Sequence, residues 1–99
     1  MICIKVISTY RDVVAVCDSD LLGKTFEDGD FQLDVKESFY KGDEASKEQA
    51  VEFLQDVAKD DATFNIVGPE SVNAALQAGI IEEEGVGEIA GIPFALVLG

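Results

Sequence analysis

Residues 2–17 read ICIKVISTYRDVVAVC, and this stretch decides the fold. Two runs rich in β-branched residues, 2–8 and 12–17, flank Thr9, Tyr10 and Arg11, a pattern that predicts a β-hairpin. The period of two puts Ile2, Ile4 and Val6 on one face. A three-residue loop sets Ile4 opposite Val16 and Cys3 opposite Cys17. A two-residue loop shifts that register by one, and the sequence fits both.

Beyond the hairpin, Asp18 is expected to cap a short helical turn over 19–22, with Gly23 ending it. Residues 31–35 read as a third strand with Phe31, Leu33 and Val35 on one face, followed by a turn through 37–43. Ser46 and Gln49 have the spacing of a capping box. The helix behind them is expected to run to about Lys59, with Ala50, Val51, Leu54, Val57 and Ala58 on its apolar stripe.

Residues 62–67 read as a strand. Gly68 then serves as N-cap and Pro69 takes the first helical position. The second helix, 69–78, buries Val72, Ala75 and Leu76 and stops at Gly79. A connector follows, with a short strand around Val86–Ile89, and 93–98 forms the last strand. The architecture expected is α+β: a two-layer sandwich in which two main helices pack on a mixed sheet begun by the N-terminal hairpin. All of 1–99 forms one domain, with a parallel pairing expected between 62–67 and 93–98.

Composition bounds the function. The chain has 99 residues, 47% of them hydrophobic, enough for one core. No apolar run approaches membrane-spanning length, and the N-terminus lacks the features of a secretory signal. The expectation is a mature cytoplasmic chain. Twenty acidic residues stand against seven basic ones, for a net charge of −13. Such a surface repels phosphate backbones and anionic membranes and favours a basic protein partner. It also serves solubility.

There is no histidine and there are two cysteines. Ser-His-Asp and Cys-His chemistry is thereby excluded, as are His-containing and Cys-only tetrahedral zinc sites within one chain. No metal or cofactor is implied. Cys3 and Cys17 are expected as buried free thiols in adjacent strands.

Residues 18–30, DSDLLGKTFEDGD, invite chemical readings. A phosphate-binding loop needs a glycine five residues before Gly23, where Asp18 stands, and a long helix after Lys24 and Thr25. Asp18 and Asp20 after an apolar strand resemble the aspartate pair of haloacid-dehalogenase-type phosphotransferases. Those enzymes need a larger parallel sheet than a chain with an N-terminal hairpin supplies. An EF-hand counted from Asp18 meets Leu22 at position five and Gly29 at position twelve. Weak divalent binding by Asp18, Asp20, Glu27, Asp28 and Asp30 remains as a minor reading beside a solvated acidic face. The amides after Gly68 offer an anion site, with Glu70 already complementing the helix dipole.

Taken together, "CDSDLLGKTF", "SFYKG", "NIVG", "ALQAGII" and "IAGIP", in that order, resemble the archaeal family called domain of unknown function 424. The resemblance spans Val13 to Pro93. It implies a small cytoplasmic α+β domain without an established activity. Members often continue the final Gly-x-Pro with His-Ala-Gln, where this chain has Phe94 and Leu96. A packing strand would make that change harmless.

The functional expectation is a non-enzymatic adaptor in an archaeal housekeeping process such as translation, that process resting on the family's archaeal character alone. It would bind a basic protein partner and neither nucleic acid nor membrane, and its oligomeric state is not set. The competing reading is a small-ligand or divalent-cation binder, or a minor enzyme, built from Asp18, Asp20, Lys24, Thr25, Asn65, Gly68 and Ser71. An adaptor should expose an apolar or acidic patch. An enzyme should converge a pocket on Asp18, Lys24 or Asn65.

Overall fold

The computed structural model describes residues 1–98. The hairpin forms from β1 (Ile2–Ile7) and β2 (Asp12–Asp18), antiparallel, with Cys3 opposite Cys17 and Ile4 opposite Val16. This is the register of the three-residue loop.

Among the described residues, eight strands and three α-helices build a mixed α+β structure. After the hairpin come β3 (Thr25–Asp28), β4 (Phe31–Asp34), α1 (Glu37–Tyr40), β5 (Asp43–Ala45) and α2 (Lys47–Val57). Then follow β6 (Ala62–Val67), α3 (Pro69–Ala78), β7 (Gly87–Ile89) and β8 (Ile92–Val97). Six strands form one sheet in the order β5-β1-β2-β6-β8-β7, and β3 and β4 pair separately.

Period-two alternation splits the sheet into two apolar faces. One carries Ile2, Ile4, Val14, Val16, Phe64 and Ile66 against Ala50 and Leu54 of α2 and Val72 and Ala75 of α3. This is the helix-on-sheet sandwich that the patterning predicts. The other carries Cys3, Ala15, Cys17 and Val67, covered by Leu21, Val35 and Tyr40.

The capping box at Ser46 and Gln49 is formed in both directions, at 3.0 and 3.2 Å. Helix α2 stops at Val57, short of Lys59.

Two expectations are corrected. The strand 62–67 pairs parallel with β2, not with the final strand, which lies antiparallel to it. The cause is the turn at Ala90 (φ 51°) and Gly91 (φ 79°), two left-handed residues that make a tight hairpin of β7 and β8. Strand β7 therefore runs in the direction of β6, and β8 returns between them.

The strand expected at 31–35 forms over Phe31–Asp34 and pairs with Thr25–Asp28, apart from the main sheet. The presumed turn at 37–43 contains the single helical turn α1, followed by the start of edge strand β5.

Candidate functional site

Two loci merit a site's scrutiny: the junction of β2 with α3, and the edge of the sheet beside α2.

At the first, β2 and β6 run parallel, so their C-terminal ends, Asp18 and Val67, emerge side by side. Asp18 is 3% exposed. Its Oδ1 accepts the Ser71 amide at 2.8 Å and the Ser71 hydroxyl at 2.8 Å, and its Oδ2 accepts the Glu70 amide at 3.1 Å. The two amides belong to the second and third residues of α3 and, Pro69 having no N–H, are the first donors the helix leaves unsatisfied.

The expectation that Asp18 caps its own turn is therefore wrong. The 3₁₀ turn Ser19–Leu21 has no side-chain cap, and the carboxylate serves a helix 52 residues away instead.

Gly68 explains how. It is the N-cap residue of α3, with no side chain to accept the helix amides, at φ +109°. A Cβ there would lie 2.5 Å from Asp18 Cγ. The Asp18 carboxylate thus occupies the space where the N-cap's own side chain would sit. The anion foreseen at these amides is internal, and it completes the helix dipole from across the fold.

The remaining candidates do not gather there. Asp20 and Lys24 are exposed. No helix follows Lys24, which leads directly into β3. Thr25 begins β3, and its hydroxyl donates to Asp34 Oδ1 at 3.3 Å. Asn65 sits in β6 between Ala15 and Leu96. Of the seven candidates, the structure brings together Asp18, Gly68 and Ser71 and leaves the other four apart. Among the described residues, no three Cys, Asp or Glu side chains gather in a way that could hold a metal ion.

The thiols lie beneath this junction. Cys17 is pushed up to about 12 by burial, and by the neighbouring Cys3, Asp18 and Asp20. The Tyr40 hydroxyl is likewise raised to about 12 by burial and by Cys17. Both cysteines are free. Gly42 N donates to Cys3 Sγ at 3.0 Å. Cys17, held neutral by its burial, is a core group and not a nucleophile.

The second locus went unrecognised in the sequence. Strand β5 covers β1 only from Ile2 to Ile4. At Gly42 the chain comes off the opposite face, so close that a Cβ would collide with the Ile4 carbonyl. Val6 is left 45% exposed.

Between this edge and α2 lies a groove of about 480 Å³. Ile4, Val6, Ala45 and Phe53 supply its apolar lining, the carboxylates of Asp43, Glu52 and Asp56 stand around it, and Glu44 borders it while its carboxylate accepts the Ser19 hydroxyl at 3.4 Å. Asp56 has Lys59 at 3.7 Å. Among the described residues no cation pairs with Asp43, Glu44 or Glu52. A second depression, about 580 Å³, lies between the β3–β4 tip and β7, beside Asp30, Phe31 and Glu88. Neither hollow is lined by any of the seven candidates.

A family model described as "Protein of unknown function (DUF424)" matches residues 7–99. The chain belongs to DUF424. Its fold is similar to that in the crystal structure of an uncharacterized conserved protein from Methanopyrus kandleri. The TM-score is 0.87 at 24% identity, over 97% of this chain and 89% of that one. No curated protein matches it.

In this DUF424 chain the segment after Gly-x-Pro is strand β8. Phe94 packs on the second core and against Gly87, and Leu96 is exposed. Position 94 here serves packing. No helix among the described residues of the DUF424 chain is long and apolar enough to cross a membrane.

Proposed function

We propose that this DUF424 protein is a non-enzymatic interaction module of the archaeal cytoplasm that binds a basic protein partner. One observation carries this reading. The residues that a ligand site would need do not converge, and the most reactive-looking of them, Asp18, is consumed in capping α3. What the surface offers instead is carboxylate around apolar hollows. At a net charge of −13, attraction of a basic surface and repulsion of phosphate follow from the same field.

The test is stopped-flow association with a basic protein isolated on the immobilised chain and identified by mass spectrometry. Association should slow as salt rises, since the Debye length falls from about 10 Å at 0.1 M to about 3 Å at 1 M. Bare RNA should not compete. A flat salt profile, or sub-micromolar binding of bare RNA, would overturn the reading.

A further inference from the structure

We propose that the groove between the β1–β5 edge and α2 docks an arginine-bearing segment of a partner protein, with a guanidinium against Phe53. This inference rests on the reading above and locates it.

The groove is apolar within and anionic at its margins. Ile4, Val6, Ala45 and Phe53 give it surface that gains by leaving water. Val6 is one of the few large apolar side chains left exposed. Its exposure follows from the fold, because β5 ends its pairing at Ile4. Asp56 lies one turn along α2 from Glu52 and Phe53, four and three residues away, spacings at which side chains share a face. Asp43, opposite Ile4, approaches from β5 on the other side, whereas Glu44, opposite Cys3, turns to the other face and accepts the Ser19 hydroxyl at 3.4 Å.

Charge decides the occupant. An anion would meet the carboxylates of Asp43, Glu52 and Asp56. A second copy, itself at −13, would bring its own acidic surface against them. A bare divalent cation lacks a converging set of ligands among the described residues. A cationic side chain with an apolar stem fits both halves of the site.

Arginine fits better than lysine. Its guanidinium is planar and weakly hydrated, stacks on aromatic rings and binds carboxylate in two-point fashion. The volume, about 480 Å³, is of ligand size, the scale of a few side chains in an extended segment and not of a folded element. Charged edge strands such as β5 discourage indiscriminate pairing with other strands, so a cationic segment has selective access there.

The experiment is a titration of the isotopically labelled protein with a short arginine–leucine peptide at low salt, followed by amide shifts. The lysine–leucine isostere is titrated alongside. Shifts should cluster at Val6, Asp43–Ala45 and Glu52–Asp56. The double variant Glu52→Lys/Asp56→Lys should weaken the arginine peptide about tenfold or more. The distant Glu82→Lys/Glu83→Lys protein, with the same change in charge, should weaken it no more than about threefold. Phe53→Leu keeps an apolar side chain and should erase the preference for arginine over lysine. Melting curves confirm that each variant is folded.

Equal loss from both charge reversals, or shifts centred elsewhere, would overturn the groove while leaving the basic-partner reading standing. Failure of every cationic peptide to bind at low salt would overturn both. Retention of the arginine preference in Phe53→Leu would overturn the stacking geometry.

Discussion

The carboxylate of Asp18 accepts both the amide and the hydroxyl of Ser71, 53 residues further along the chain, each at 2.8 Å. One buried oxygen thereby serves a helix end and a fully buried side chain at once.

Asp18→Ala should consequently cost more than an ordinary cap. Loss of the cap costs about 1 kcal/mol, and the stranded Ser71 hydroxyl adds about 1–3 kcal/mol. Urea unfolding should show a fall of about 2–4 kcal/mol. An unchanged midpoint would refute the arrangement.

Gly68→Ala places a methyl group against that carboxylate and holds alanine at φ +109°. Both effects destabilise, by about 2 kcal/mol or more together. Asp18→Ala removes the collision but not the dihedral strain. The double variant should therefore lose less than the sum of the two single losses, with a coupling of about 0.5–3 kcal/mol. Strict additivity in a double-mutant cycle would show that the two residues do not share the space.

Alkali should weaken the fold through Cys17 and Tyr40. Both keep their protons to about 12 when folded, against ordinary values of 9.0 and 10.0. Between those limits the unfolded chain releases protons that the native protein retains, so stability falls as pH rises. Their contribution is intact below pH 9 and lost by about pH 12. Cys17→Ala should flatten the alkaline slope by up to about 1.4 kcal/mol per pH unit. Equal slopes for the two proteins, read from denaturant unfolding at several pH values, would exclude the thiol as a cause.

Both thiols should resist an aromatic disulfide reagent in the native protein and react fully once unfolded without reductant. Cys3 and Cys17 are free and at most 1% exposed. Absence of free thiol in the unfolded, unreduced protein would contradict this.

The sequence is most legible where signals are local. The hairpin, the Ser46–Gln49 box and the Gly68-Pro69 helix start are all written in adjacent residues, and all form. Helix α1 has four residues and β5 three, too short for a period to emerge. β5 also carries Asp43 and Glu44, residue types that strands generally avoid. Pairing with β1 overrides that preference.

The orientation of β8 turned on Ala90, which carries no usual mark of a left-handed turn residue. Asp18, Gly68 and Ser71 were recognisable as notable residues, but their mutual contact was not. A side chain reaching a helix 52 residues away leaves no local pattern. The acidic groove went unread for the same reason, since its walls come from β1, β5 and α2.

The remote cap also imposes an order on folding. A helix that carries its own Ser or Asp cap can begin to form from local sequence alone. Helix α3 cannot do so fully, because Gly68 has no side chain. Its N-terminal amides find their acceptor only when β2 and β6 have come into register and Asp18 is delivered beside them. Ten residues are too few to make an isolated helix stable in water. The first turn of α3 is therefore completed by the chain's long-range parallel pairing, after the loop entropy of joining those strands has been met. The closing of α3 records that the two halves of the sheet have joined.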